Sequence, residues 1–232
     1  MKIAVIIPTL NEEQALPDTL ASVTRLGFDE VLVVDGGSTD RTQAIVRSFN
    51  LPPPASRPAL LVSPTGRAKQ MNAGAAASRS DVLLFLHADT RLPNDARQAI
   101  EEALEDPVCV GGRFDVRFER DAGLAWLIAR LISLRSRWSG IATGDQALFV
   151  RRTTFERLGG FTDLPIMEDV DFARRIKREG RVAPLRGHVV TSYRRWERCG
   201  AFQTIVLMWT LRFLYWIGVT PGRLYRFYTV VR

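Results

Sequence analysis

The chain has 232 residues, 46% of them hydrophobic and 25% charged, with only two cysteines. That is room for one domain with a sizeable core, or a domain with a helical appendage, and it excludes a disordered or fibrous protein, a disulfide framework and a cysteine-rich zinc site. The net charge of +7 is unevenly placed: residues 1–112 hold 10 Lys and Arg against 14 Asp and Glu, and residues 113–232 hold 22 against 11, so the second half is either a solvated basic face or suits an anionic partner such as a membrane surface, a nucleic acid or a phosphorylated substrate.

In chain order, Ile3-Ala4-Val5-Ile6-Ile7 reads as a strand ending at Pro8. Five apolar residues after Lys2 are too few for a secretory signal. With thiols that suit a reducing compartment, the expected location is cytoplasmic, at most peripheral on the inner face of the membrane. Glu13 to Val23 reads as a helix capped by Asn11. Val31 to Val34 is a second strand, stopped by Asp35-Gly36-Gly37, and Ser38 or Thr39 caps a helix running to about Phe49. Leu51 to Pro58 carries four prolines and reads as a loop. Leu60 to Val62 is a strand, Gly66 to Ser78 a helix, Val82 to Leu86 a strand and Pro93 to Leu104 a helix.

This βαβαβαβ order, with apolar strands that do not alternate, predicts an α/β fold: a mostly parallel sheet with helices on both faces. Such sheets bind ligands outside the carboxyl ends of their strands. The polar residues there are Thr9, Asn11 and Glu12; Asp35, Gly36, Gly37 and Ser38; and His87 and Asp89. The second half is less regular. Val108 to Phe118 is a strand pair or one bent strand about Gly111-Gly112, Leu124 to Leu134 a helix, Ala147 to Val150 a strand and Val170 to Arg178 a charged helix.

Asp35 at a strand end can accept hydrogen bonds from a base or ribose, or can cap its own tight turn. Strand alternation puts His87 and Asp89 on one side, where they could hold a divalent cation on a diphosphate or cap the next helix. Glu168-Asp169-Val170-Asp171 places three carboxylates at a helix start, as favourable dipole partners or as a general base.

Taken in order, Pro8-Thr9-Leu10-Asn11-Glu12, Val34-Asp35-Gly36-Gly37-Ser38-Thr39-Asp40, Leu86-His87-Ala88-Asp89 and Glu168-Asp169-Val170-Asp171-Phe172-Ala173-Arg174-Arg175 resemble the family 2 glycosyltransferases over residues 1–180. That family has the GT-A fold. The stretch 66–75 and the tail around Trp209 to Trp216 are most similar to the small bacterial proteins labelled arsenosugar-biosynthesis glycosyltransferases. The resemblance implies an inverting, metal-assisted transfer of a sugar from a nucleotide-sugar, UDP-sugar favoured, to an acceptor hydroxyl. It implies that Pro8, Thr9, Asn11, Glu12, Asp35, Gly37, Arg67, Asn72 and His87 lie at the nucleotide and that Asp89 binds Mg²⁺ or Mn²⁺. Asp169, with Glu168 beside it, is implied as the catalytic base, and Gly144, Asp145 and Gln146 as the acceptor side. The chain departs from the pattern at His87, where the family has the first aspartate of Asp-x-Asp.

The seventeen residues between Gly200 and Gly218 are mostly apolar. As a helix they span about 26 Å, short of a hydrocarbon core of about 30 Å, and Arg212 would be buried there. The expectation is a domain over 1–195 and a helical tail over 196–232. The tail lies on a membrane surface or over the acceptor site, or else packs on the domain or a second copy. Arg194, Arg195 and Arg198 precede the apolar run, and Arg223, Arg226 and Arg232 follow it. Two other functions fit parts of the pattern. A nucleotidyltransferase needs a Gly-rich basic loop after the first strand, which Pro8 to Glu12 is not. A non-catalytic module for anionic membranes or nucleic acid would leave Asp35, Asp89 and Asp169 scattered; nucleic acid is not expected as a partner.

Overall fold

The computed structural model describes residues 1–49 and 57–228; most of the proline-rich stretch and Arg232 lie outside them. Strands β1 (Ile3–Thr9), β2 (Glu30–Asp35), β3 (Ala59–Val62) and β4 (Val82–Phe85) alternate with helices α1 (Leu16–Arg25), α2 (Thr42–Ser48) and α3 (Arg67–Ala77). β1 pairs in parallel with both β2 and β4, and β2 with β3. Every residue of β1 is buried, as its unbroken apolar run requires of a strand covered on both faces. Its alternation divides the core. Ile3, Val5 and Ile7 pack with Leu16, Leu20 and Ile100 on one face; Ala4 and Ile6 pack with Met71, Phe155 and Phe172 on the other.

The sheet then turns mixed. β5 (Thr90–Arg91) and α4 (Ala96–Glu105) lead to β6 (Cys109–Phe118), α5 (Gly123–Ser139), β7 (Leu148–Arg151), α6 (Arg152–Arg157), α7 (Glu168–Ile176) and β8 (Arg181–Thr191). The order is β3-β2-β1-β4-β7-β6-β8-β5. β7 runs antiparallel to β4 and β6, β8 parallel to β6, and β5 antiparallel to β8. β6 is one strand with irregularities between Cys109 and Gly111 and between Arg113 and Asp115, which settles the choice left by its glycines. The chain ends in α8 (Arg194–Cys199), which begins two residues before the expected tail boundary, α9 (Ala201–Trp216) and α10 (Pro221–Tyr225). No helix among the described residues is long and apolar enough to cross a membrane.

Three helix starts differ from expectation. α1 begins at Leu16, with Pro17 in its first turn and no side-chain cap. Asn11 instead takes a left-handed conformation, φ 56°, and its Oδ1 accepts the Thr39 N–H at 2.8 Å. α2 begins at Thr42, because Asp40 accepts the N–H groups of Thr42 and Glu13; neither Ser38 nor Thr39 caps it. α4 begins at Ala96, a turn inside the proline of its leading edge. The tail docks on the domain where α7 starts: Leu211 and Leu224 are buried against Ile166, Met167 and Val170. Its other face is bare, with Phe202, Trp209, Phe213 and Trp216 exposed. α5 likewise exposes Leu124, Leu127, Leu131, Leu134 and Trp138.

Candidate active site

The ends of β1 and β2 form a cross-braced pair of turns. Asp35 is fully buried. Its carboxylate accepts the N–H groups of Gly37 and Ser38, the Ser38 hydroxyl, and the Gln43 amide at 2.8 Å. Burial alone would push this carboxyl up; the hydrogen bonds from Ser38, Gln43 and Gly37 outweigh it and hold the pKa below the usual 3.8. Gly37 at φ 94° lets the chain turn back under the carboxylate. Gln70 from α3 completes the brace, donating to the Thr9 and Val34 carbonyls at 2.7 Å each.

A second cluster joins α3, the end of β4 and the start of α7. Arg67 Nε pairs with Glu168 at 2.9 Å, the glutamate only 2% exposed. The Glu168 charge raises the Arg67 pKa, while burial pushes the Glu168 carboxyl up against the pull of Arg67. Arg67 Nη1 lies 3.4 Å from His87 Nε2. A guanidinium only donates, so that nitrogen is the acceptor. Burial, then Arg67, lowers the His87 pKa, which keeps the imidazole neutral. Met167, in a left-handed conformation at φ 70°, turns the chain into α7. Asp169 then accepts the Gly144 N–H at Oδ2 and the Val170 N–H at Oδ1, both at 2.7 Å. Gly144 lies so close that a Cβ there would sit 2.5 Å from His87 Nε2.

Two cavities meet at this cluster. One, of about 600 Å³, is lined by Pro8, Thr9, Glu12, Arg67, His87 and Asp89. The other, of about 490 Å³, runs between α5 and α9 and contains Gly144, Asp145 and Asp169 at one end and apolar side chains such as Leu131, Ile205 and Trp209 along its walls. Arg67, His87, Arg195 and Tyr228 line both. Three buried side-chain polar atoms among the described residues lack a hydrogen-bond partner: Arg135 Nε, Asp145 Oδ1 and Glu168 Oε2. Arg135 and Asp145 line the second cavity; Glu168 lines a small recess with His87 and Asp169. Burial and the neighbouring Arg212 charge push Arg135 down to about 10.

The structure thus brings most of the residues singled out in the sequence to one place, and leaves five outside. Asp35, Asn11 and Gly37 shape the turns beneath the first cavity and do not line it. Asn72 clamps the loop at Phe161, donating to its carbonyl and accepting its N–H at 2.8 and 2.9 Å. Gln146 is fully buried and closes its own turn, accepting the Thr143 N–H and donating to the Phe114 carbonyl. Sequence reasoning missed Gln70, Arg135 and Arg212 as site residues, and gave Arg194 and Arg195 no place in it. An arginine on an otherwise apolar helix was the available signal for Arg212; Arg135 is one of three arginines on α5.

The metal implied by the family pattern can be tested against these contacts. No group of three His, Cys, Asp or Glu side chains suited to a metal occurs among the described residues. Asp89 Oδ2 lies 3.2 Å from Arg194 Nη2, which also holds Glu12 at 3.0 Å. The His87 lone pair faces Arg67. His87 and Asp89 each already face a guanidinium, so this donor set does not fit a resident dication.

A model of glycosyl transferase family 2 matches residues 4–162. "Probable glycosyltransferase YdaM" of Bacillus subtilis is 28% identical over 198 residues, covering 75% of this chain and 46% of that protein. "Undecaprenyl-phosphate 4-deoxy-4-formamido-L-arabinose transferase" of Sodalis glossinidius is 30% identical over 159 residues, 65% of this chain and 48% of that one. The chain spans about half the length of the curated relatives it matches. Among solved structures, S. aureus TarS 1–349 in complex with UDP-GlcNAc superposes with a TM-score of 0.64 at 20% identity, over 83% of this chain and 58% of that one, a likeness of fold.

Proposed function

The chain belongs to glycosyl transferase family 2, and on that premise we propose that it transfers a sugar from a nucleotide-sugar to an acceptor oxygen. The observation that carries this reading is the meeting of two cavities at Arg67 and His87, with Asp169 on one side. The cavity beside β1 seats the donor, with UDP-sugars favoured because a relative of the same fold holds UDP-GlcNAc. The cleft between α5 and α9 seats the acceptor.

The step is a single displacement. The acceptor oxygen bonds to the anomeric carbon, the bond from that carbon to the diphosphate oxygen breaks, and the leaving nucleoside diphosphate keeps the electron pair. Attack from the acceptor cleft, opposite the donor, inverts the sugar carbon. Where the acceptor is a hydroxyl, Asp169 takes its proton. The Gly144 and Val170 N–H groups hold this carboxylate at both oxygens and leave a lone pair on each. Such assistance is worth about 10²–10⁴-fold. Glu168 is the poorer base, because Arg67 holds it. The pre-placed charge of Arg67 supports the leaving group without reorganisation. The Mg²⁺ or Mn²⁺ expected at Asp89 enters no step, because the donor set does not fit it.

The acceptor is carried on an apolar chain. The cleft walls are apolar, their outer ends continue into the bare faces of α5 and α9, and a relative is named for its action with undecaprenyl phosphate. Residues 196–232 act as the membrane-facing cover of the catalytic domain, lying peripherally at the surface where about 1 kcal/mol per nearby arginine is available. The likeness to arsenosugar-type proteins names no acceptor. The test is a panel of UDP-, GDP- and dTDP-sugars, each scored for binding and for sugar transfer to bacterial lipid extract. Binding of one nucleotide class with label appearing in the lipid fraction is expected; binding of none refutes the reading.

A further inference from the structure

Family members with two aspartates after the fourth strand present a dication to the donor's diphosphate. In this chain the same place is built from arginines. His87 replaces the first carboxylate, and its acceptor nitrogen is turned to Arg67 at 3.4 Å. Asp89 remains, but it and Glu12 are bridged by one guanidinium nitrogen of Arg194. Arg194 opens α8, and its Nε rests on the Ser192 hydroxyl at 3.2 Å. A guanidinium has five N–H donors; these contacts use those of Nη2 and Nε, and the two on Nη1 are the ones they do not use. Arg67 and Arg194 both line the donor cavity, so two fixed cations border the space where a diphosphate would lie between β1 and α8.

A dication entering here would have to displace Arg194 from two carboxylates and then sit beside Arg67. A diphosphate is attracted by both guanidiniums, whose charge Glu12, Asp89 and Glu168 partly offset, and arginine forks match phosphate oxygens in geometry as well as charge. We propose that Arg194 and Arg67, in place of a bound metal ion, hold the donor's diphosphate, so that donor binding does not need a divalent cation. This rests on the donor reading given above. It assigns a function to Arg194, which lies just before residues 196–232 and beyond the matched family region, and gives its contact with Glu12 after β1 a role.

The test uses UDP as the probe and the full chain stripped of metal with EDTA and desalted. Isothermal titration is run without metal, with Mn²⁺ and with Mg²⁺, and uridine is titrated alongside. The expected result is a Kd for UDP that changes less than threefold on adding either metal. Arg194→Gln should weaken UDP at least tenfold without metal while uridine binding stays within twofold, and Arg194→Lys should recover part of the loss. Tightening of UDP by tenfold or more with Mn²⁺, removed by Asp89→Ala, overturns the proposal while leaving the donor reading intact. Equal losses of UDP and uridine in Arg194→Gln, or no loss, also overturn it. Failure of UDP, GDP and dTDP to bind with or without metal removes the donor reading itself, and with it this inference.

Discussion

Asp169→Asn separates the two backbone hydrogen bonds that this carboxylate accepts from the proton transfer proposed for it. In the native site both oxygens accept backbone N–H groups at 2.7 Å, from Gly144 on one side and Val170 on the other. An amide keeps the shape but has a single acceptor oxygen. Whichever way it turns, one N–H keeps a neutral bond and the other faces an NH₂. Hydrogen bonds to a charged group are worth about 1.5–3 kcal/mol, against about 1 for a neutral one, so a loss near 2 kcal/mol is expected. For a chain of this size that is roughly 4–8 °C in Tm. The proton acceptor is lost as well, and turnover should fall about 10²–10⁴-fold while UDP binding is retained, since Asp169 lines the acceptor cleft alone of the two large cavities. Single-turnover transfer at saturating donor and a thermal melt measure the two effects. Turnover above a tenth of wild type would refute Asp169 as the base. The next group to test would be Asp145, with its unpartnered buried oxygen, ahead of Glu168. An unchanged Tm would refute the two-bond geometry.

Gly144→Ala should cost about 10²-fold in turnover, since a displacement near 1 Å is worth that much: the new methyl would sit 2.5 Å from His87 Nε2 and push the ring from Arg67. Steady-state kinetics would show this, and wild-type kcat would refute it. Asn72→Ala should lower stability by about 2 kcal/mol through loss of two hydrogen bonds to Phe161, yet leave the UDP Kd within twofold; a tenfold weaker Kd would put Asn72 back at the nucleotide. Asp35→Asn should destabilise by about 2–3 kcal/mol at neutral pH, the worth of bonds to a charged group. The Asp35 pKa is lowered on folding, so its contribution is present above 3.8 and lost as pH falls through the lower folded value. The wild-type advantage in urea melts should therefore shrink below pH 3.8, and a gap constant with pH would refute the role.

How legible the site was depends on how far each residue's partners lie along the chain. β1, β2 and β4 declare themselves because burial on both faces demands an unbroken apolar run, and their ends then locate Thr9, Glu12, His87 and Asp89 without further information. Asp35 sits at such an end too, but apart from the Thr9 hydroxyl at 3.4 Å its partners are Gly37, Ser38 and Gln43 within eight residues, so a local turn and a ligand contact look alike in sequence. The structure shows the turn bonds to Gly37, Ser38 and Gln43. Asn72 is illegible for the opposite reason: the partner the structure gives it, Phe161, is 89 residues away, and its place on the helix that starts at Arg67 says nothing about that. Arg194 is the furthest case, reaching Glu12 across 182 residues. Its two acids were read as donor and metal ligands precisely because no local pattern shows that a distant arginine neutralises them. The apolar faces of α5 and α9 complete the point. Leu124, Leu127, Leu131, Leu134 and Trp138 recur at helical spacing as any core-facing stripe does, and only the fold shows them bare. What separates them from a core stripe is the cleft between the two helices, whose inner end is Asp169. An apolar surface that leads to the carboxylate proposed as the base is placed to admit a substrate, and one that leads nowhere would be a packing face without a partner.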